Sequence, residues 1–211
     1  MMNEVRKTNA AEYFQNLDRE KLLSDVRFRL VDENYANLDK VASWPWMGME
    51  IVFYLPVNES ELALVSKELL KKYDIDFREL YEQAVQNTRN NSKYRIQPMM
   101  AVLGMMTGNE EDVADDPSMP YVVTVPSGMY GATALYCNEA IVEFLKKVGK
   151  DAYILPSSQH EVLVMLDNGN LNADDLREMV KQVNDTEVSP KDLLSYDVFY
   201  LNREGILMTA A

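Results

Sequence analysis

Three stretches of this chain follow one plan: a strand, a turn around a proline, a second strand, then a capped amphipathic helix. They run from Ile51 through Pro56 to Tyr73, from Tyr121 through Pro126 to Val148, and from Ala152 through Pro156 to Val183. Two strands joined by a short turn must pair antiparallel. The helix that follows each pair can lay its apolar stripe over one sheet face. The expected fold is therefore α+β: a largely antiparallel sheet built from successive hairpin-plus-helix units, with an N-terminal helix in front. The spacing of the units is irregular, so a solenoid is not expected.

Cap residues and apolar spacing place the elements. Asp18 predicts a helix running to about Asn34, with Leu22, Leu23, Val26, Leu30 and Val31 as its stripe. Residues 1–17 read as a tail or a short helix over Ala10–Asn16. Trp44-Pro45-Trp46 breaks the helical pattern. Met49–Leu55 and Glu61–Val65 form the first hairpin. Ser66 caps Lys67–Tyr73, and Asp76 caps Phe77–Asn90, whose Phe77, Leu80, Tyr81, Ala84, Val85 and Thr88 share a face. Pro98 starts a short methionine-rich helix. The acidic stretch 106–120, with Gly108 and two prolines, is expected to be a mobile loop.

In the second unit Tyr121–Val125 is expected to pair with Gly131–Tyr136. Asn138 then caps a helix with Ile141, Phe144, Leu145 and Val148 inward. Truncating Phe144 to alanine is expected to cost about 3–5 kcal/mol on that reading. In the third, Ala152–Leu155 pairs with Glu161–Leu166, and Asn172 caps a helix carrying Leu176, Met179, Val180 and Val183. Asp197–Leu201 and Gly205–Met208 make a last hairpin. Residues 18–208 read as one domain and 209–211 as a C-terminal tail.

The charge balance narrows the function classes. With 34 acidic and 21 basic side chains the net charge is −13, so no nucleic-acid partner is expected. No apolar run approaches the ~20 residues that span a bilayer, so no membrane partner is expected. A single cysteine and a polar Met1–Thr8 without a signal-peptide core point to the cytoplasm. One histidine and one cysteine exclude the familiar zinc ligand sets, and no Gly-rich phosphate loop occurs. No cofactor and no metal are expected.

The most pointed polar cluster is Ser157, Ser158, His160 and Glu161 in the turn after Pro156. A serine hydrolase needs a serine, a histidine and an acid that converge in space. Residues this close in sequence crowd one turn instead, and Glu161, next along the strand, points away from His160. His160 is therefore expected to open the second strand and to bond locally as a structural residue. Cys137 reads as a structural thiol. Trp44 and Trp46 beside Pro45 offer either a stacking platform or a cover over the core. Gly128-Met129-Tyr130-Gly131 mimics the Gly-x-x-Gly loop of RNA-binding domains, yet it lies between expected strands rather than helices.

Asp151–Glu161, the run Glu178–Pro190, and the segments Ile51–Tyr54, Glu79–Glu82 and Val198–Tyr200 carry a resemblance. Their Pro-Ser-Ser-x-His-Glu turn and Val-Asn-x-Thr-Glu-Val run resemble a domain-of-unknown-function family of bacterial proteins from Gram-positive gut anaerobes. The likeness covers Leu22 to about Arg203. Members often carry further sequence ahead of Asp18, so this chain reads as a short member or a trimmed one. The resemblance implies no activity and no catalytic residues; it draws attention to Ser157, Ser158, His160 and Glu161. The resulting expectation is a non-enzymatic domain that binds another protein or itself, with Trp44 and Trp46 as candidate contacts. The alternative is a small-molecule-binding or hydrolase-like protein with its site at Ser157–Glu161.

Overall fold

The computed structural model describes residues 10–58, 61–108 and 118–211. Their strands form two antiparallel sheets, and the fold is α+β. In the first sheet β3 (Met49–Pro56) is central. It pairs with β1 (Arg27–Asp32) on one side, and with β2 (Ser43–Trp46) and β4 (Leu62–Leu64) along the other. The second sheet runs β10-β9-β7-β8-β6-β5, from β5 (Arg95–Pro98), β6 (Tyr121–Thr124), β7 (Ala152–Ser158), β8 (Glu161–Leu166), β9 (Phe199–Leu201) and β10 (Leu207–Thr209). The helices are α1 (Ala10–Gln15), α2 (Arg19–Asp25), α3 (Lys67–Lys72), α4 (Phe77–Asn91), α5 (Met99–Thr107), α6 (Glu139–Val148) and α7 (Ala173–Glu187).

Side-chain caps set most helix starts where the sequence predicts them. Asp18 accepts from the Lys21 amide, Ser66 from Leu69, Asp76 from Arg78 and Asn172 from Asp174. The expected face of α4 is the buried one, with Leu80, Ala84, Val85 and Thr88 inward. The first and third hairpins and the C-terminal hairpin form as expected.

Two expected elements are replaced by others. The helix from Asp18 stops at Asp25, and the residues expected to continue it form β1. Leu22, Val26 and Leu30 fit a helical stripe, but Val26, Phe28 and Leu30 also fit a two-residue period. Pairing with β3 buries Phe28 and Leu30 completely and so selects the strand. Asn87 of α4 seals the break by donating to the carbonyls of Leu23 and Val26, at 2.9 Å each. Thr88 Oγ1 accepts from the Phe28 amide at 3.1 Å.

Gly131–Tyr136 is not a strand either. Gly131–Leu135 is a 3-10 helix, buried along its whole length. The places beside β6 are taken by β5 and β8, so the second unit contains no hairpin. The Thr133 hydroxyl donates to the Tyr130 carbonyl at 2.8 Å and closes the tight turn.

Trp44-Pro45-Trp46 forms an edge strand, the position in a sheet where a proline's missing N–H is tolerated. Trp44 is 50% exposed, with its ring 5.7 Å from that of Phe77. Trp46 is half-buried against Tyr136 at 5.2 Å.

One continuous cluster of buried side chains draws on both sheets, from Phe28, Ile51 and Phe53 to Ile154, Val164 and Phe199. A second, smaller cluster lies under α7 and includes Ala210. Ala210 bonds Val198 through its backbone, so the expected tail is partly packed. Residues 106 and 107 close α5 rather than opening a loop. Of the stretch 106–120 expected to be mobile, residues 109–117 lie outside the described residues.

Phe144 is half-buried, its ring 4.8 Å from that of Tyr121, whereas Leu145 beside it is fully buried. The cost expected for Phe144 moves to its neighbour. Chemical denaturation should show Leu145→Ala losing about 2–5 kcal/mol and Phe144→Ala about half as much.

Candidate functional site

The β7–β8 hairpin turns on Gln159 and His160 alone. β7 continues through Ser158, with a register irregularity after Leu155, and Ser158 faces Glu161 across the ladder. His160 thus sits in the turn rather than opening β8. The Ser158 hydroxyl accepts from the His160 amide at 3.0 Å, an ordinary turn contact. The side chain of Ser157 lies outside what the structure describes. Glu161 opens β8, and no hydrogen bond joins it to the His160 ring among the described residues.

The carboxylate that meets His160 comes from elsewhere. Asp192 Oδ1 lies 3.2 Å from His160 Nε2. It is placed there by the turn after α7, which zips onto the hairpin: the Gln159 amide donates to the Asp192 carbonyl at 2.9 Å, and Ser158 bridges Leu193. Gln159 Nε2 donates to the Lys191 carbonyl and to Asp192 Oδ1. On the other side of the imidazole, Nδ1 accepts from the Tyr130 amide at 3.3 Å. A donor aimed at Nδ1 puts the ring proton on Nε2, facing Asp192. Both nitrogens are therefore engaged with the protein, and the Ser158 hydroxyl is turned to backbone. Ser158 and His160 do not form a nucleophile–base pair.

What the imidazole holds is Tyr130. This residue has φ +62°, a left-handed conformation uncommon outside glycine. Its ring centroid lies 5.6 Å from that of His160, 5.5 Å from that of Tyr54 and 4.9 Å from the guanidinium carbon of Arg29. Arg29 is only 7% exposed. Its Nη2 donates to the Tyr35 hydroxyl at 2.7 Å and its Nη1 to Gln159 Oε1 at 3.3 Å, while its Nε has no hydrogen-bond partner. No carboxylate among the described residues pairs with it.

Tyr130 and Tyr54 form part of the wall of a half-open cleft of about 400 Å³, within the range of small-molecule sites. Leu62, Pro126 and Met129 give it apolar surface, and Arg27, Lys93 and Ser127 give it polar groups. Burial raises the pKa of Tyr54 above its ordinary value, opposed by the charges of Arg27 and Arg29. Arg27 also hydrogen-bonds the Tyr54 side chain. Trp44 and Trp46 do not line this cleft. Among the described residues, no three His, Cys, Asp or Glu side chains gather to hold a metal ion, and no helix is long and apolar enough to cross a membrane.

Cys137 is buried, and burial pushes its thiol up to about 11 despite the opposing charge of Arg89. At about pH 8 the native thiol should resist a disulfide reagent that titrates it fully after unfolding. The raised value also signs a pH dependence. Its contribution to stability is complete below the unfolded thiol value near 9 and is lost as pH rises through about 11. Urea midpoints that stay level across that window in wild type would refute the assignment.

The sequence did not single out Arg29, Tyr35, Asp192 or Arg27, and it noted Tyr130 only within a weak loop mimic. A usable signal for the arginines was present: Arg27 and Arg29 alternate with Phe28 and Leu30 at strand spacing. Asp192 had none, because only the packing of the post-α7 turn brings it to His160.

A two-sheet antiparallel α+β scaffold with a tyrosine–histidine–arginine junction beside a cleft is the class that fold and site define. Within it, the sequence matches the Family of unknown function (DUF5688) over residues 1–203, and the chain belongs to that family. Neither a curated protein nor a solved structure matches the chain.

Proposed function

We propose that this protein is a non-enzymatic binding domain of the bacterial cytoplasm whose ligand is a small molecule held in the Tyr54–Tyr130 cleft. The observation that carries this reading is the way Tyr130 is held. A bulky residue keeps a left-handed backbone, with its amide on His160 and its ring packed by Tyr54 and Arg29. Strain of this kind costs about 1–3 kcal/mol and persists where surrounding structure over-determines it. A wall fixed before the ligand arrives lowers the ordering cost of binding. On this view His160 is a positioning residue. A lone buried thiol suits a reducing compartment.

The test is a fragment screen followed by backbone amide resonances in the full chain. Binders should shift Tyr54, Ser127 and Tyr130, and folded Tyr130→Ala should lose them. His160→Gln should cost about 1 kcal/mol of stability through its lost bonds and weaken the same binders without abolishing them. A screen that moves no cleft resonance would end this reading. A substrate turned over by wild type, but not by folded His160→Gln, would replace it with an enzyme.

A second reading, a protein partner or self-association, has an observation of its own. α5 presents Met100, Leu103 and Met105 to solvent, the last 57% exposed, and methionine-rich surfaces adapt to partners. Light scattering should then show a mass that rises with concentration in wild type and stays monomeric in Leu103→Glu.

A further inference from the structure

The cleft is not neutral, and its sign runs against that of the chain. A net charge of −13 repels anions at long range. Yet Arg27 and Lys93 both line the cleft and form no ion pair with any carboxylate of the described residues. Arg29 adds a third cation behind the Tyr130 ring, more than nine-tenths buried, with Nε unpartnered. A buried guanidinium without a counter-charge is costly, and two tyrosine rings and one amide offset that only in part. Its field is also screened less than that of a surface charge. Among the described residues that line the cleft the one carboxylate, Glu61, accepts from Asn58 Nδ2 at 2.7 Å.

We infer that the ligand of this cleft is an oxyanion carried on an apolar body, the oxyanion held by Arg27 and Lys93 and the body lying against Leu62, Pro126 and Met129. This rests on the cleft being the binding site. The guanidinium supplies paired donors suited to carboxylate or phosphate, and the ammonium supplies a compact charge. Ser92 and Ser127 line the same cleft and add hydroxyl donors. The pocket volume suits one small organic acid and not a polymer. Arg29 serves as a positioning residue that fixes Tyr130 and biases the local potential.

The experiment titrates the full chain with 4-phenylbutyrate, phenyl phosphate, inorganic phosphate and the neutral 4-phenylbutanamide, following amide shifts of Tyr54, Ser92, Ser127 and Tyr130. At least one of the two aryl anions should bind at least about tenfold more tightly than the neutral amide and than inorganic phosphate, and added salt should weaken it. Whichever aryl anion binds more tightly identifies the oxyanion as carboxylate or phosphate. Arg27→Gln and the exposed Lys93→Gln should each lower that affinity about tenfold while leaving the neutral amide unchanged. Lys93→Gln keeps the test open should Arg27→Gln fail to fold. Equal binding of amide and anions, or anion binding indifferent to both variants, would overturn the ligand class while leaving the cleft as a site. No shift at any cleft resonance with any probe would overturn the site itself.

Discussion

Gly131→Ala is expected to leave the protein unfolded or destabilised by about 3 kcal/mol or more. A Cβ at this position would lie 2.5 Å from the carbonyl oxygen of His160 and 2.8 Å from the Cα of Thr124. Both neighbours are backbone and cannot swing aside. Thr124 is held in β6 by its pairing with Arg95. The His160 carbonyl is held by the Gly131 amide and by the Thr124 hydroxyl, at 3.0 Å each. Overpacking at a site with no room to relax is among the most damaging single changes. Gly128, three residues earlier, is the control. Its φ is +69°, but a Cβ there would meet nothing within 4 Å, so Gly128→Ala should cost only the left-handed penalty of about 1–2 kcal/mol. Urea denaturation of both variants decides the point. A Gly131→Ala midpoint close to wild type would mean that the 3-10 helix does not approach the His160 turn this closely. Because that approach sets the backbone of Tyr130, the variant should also lose cleft ligands.

Phe53→Ala is expected to cost about 3–5 kcal/mol. Phe53 lies mid-strand in β3 with no exposed surface. Its ring meets Phe77 and Tyr81 of α4 edge-on, with centroids 5.7 and 6.3 Å away. Removing it would open a void between the first sheet and α4, bounded by β1 and β4 as partners of β3 in the ladder, so collapse is restricted. Trp44 lies against the same Phe77 but is half exposed, and Trp44→Ala should cost about 1 kcal/mol. A Phe53→Ala loss no larger than that of Trp44→Ala, at an unchanged denaturant slope, would show that the α4 layer does not depend on this contact.

Legibility in the sequence followed the range of the interaction responsible. Asp18, Ser66, Asp76 and Asn172 cap helices through bonds that reach only two or three residues ahead, and each was readable. The 152–166 hairpin was readable because its partners are neighbours in the chain, although the sequence misplaced its turn and so put His160 in the strand. β1 was not legible because Leu22, Val26 and Leu30 satisfy a helical period while Val26, Phe28 and Leu30 satisfy a strand period, and β3, about twenty residues further on, decides between them. β5 escaped notice because Arg95–Pro98 is a short edge strand that becomes one only by pairing with β6 across α5 and the segment after it.

Composition and local pattern by themselves determined the α+β class, the caps at Asp18, Ser66, Asp76 and Asn172, the strand pairs of three hairpins, the inner face of α4 and the acid excess. Tertiary structure alone decided that β6 pairs with β5 and β8 and that Gly131–Leu135 coils into a buried 3-10 helix. It also brought Asp192, Tyr130, Arg29 and Gln159 together around His160, from positions 29 to 192 in the chain. The physical reason is that caps and turns draw on free energy available within a few residues. The choice among strand partners, and the pairing of a lone histidine, depend on which distant surfaces bury together.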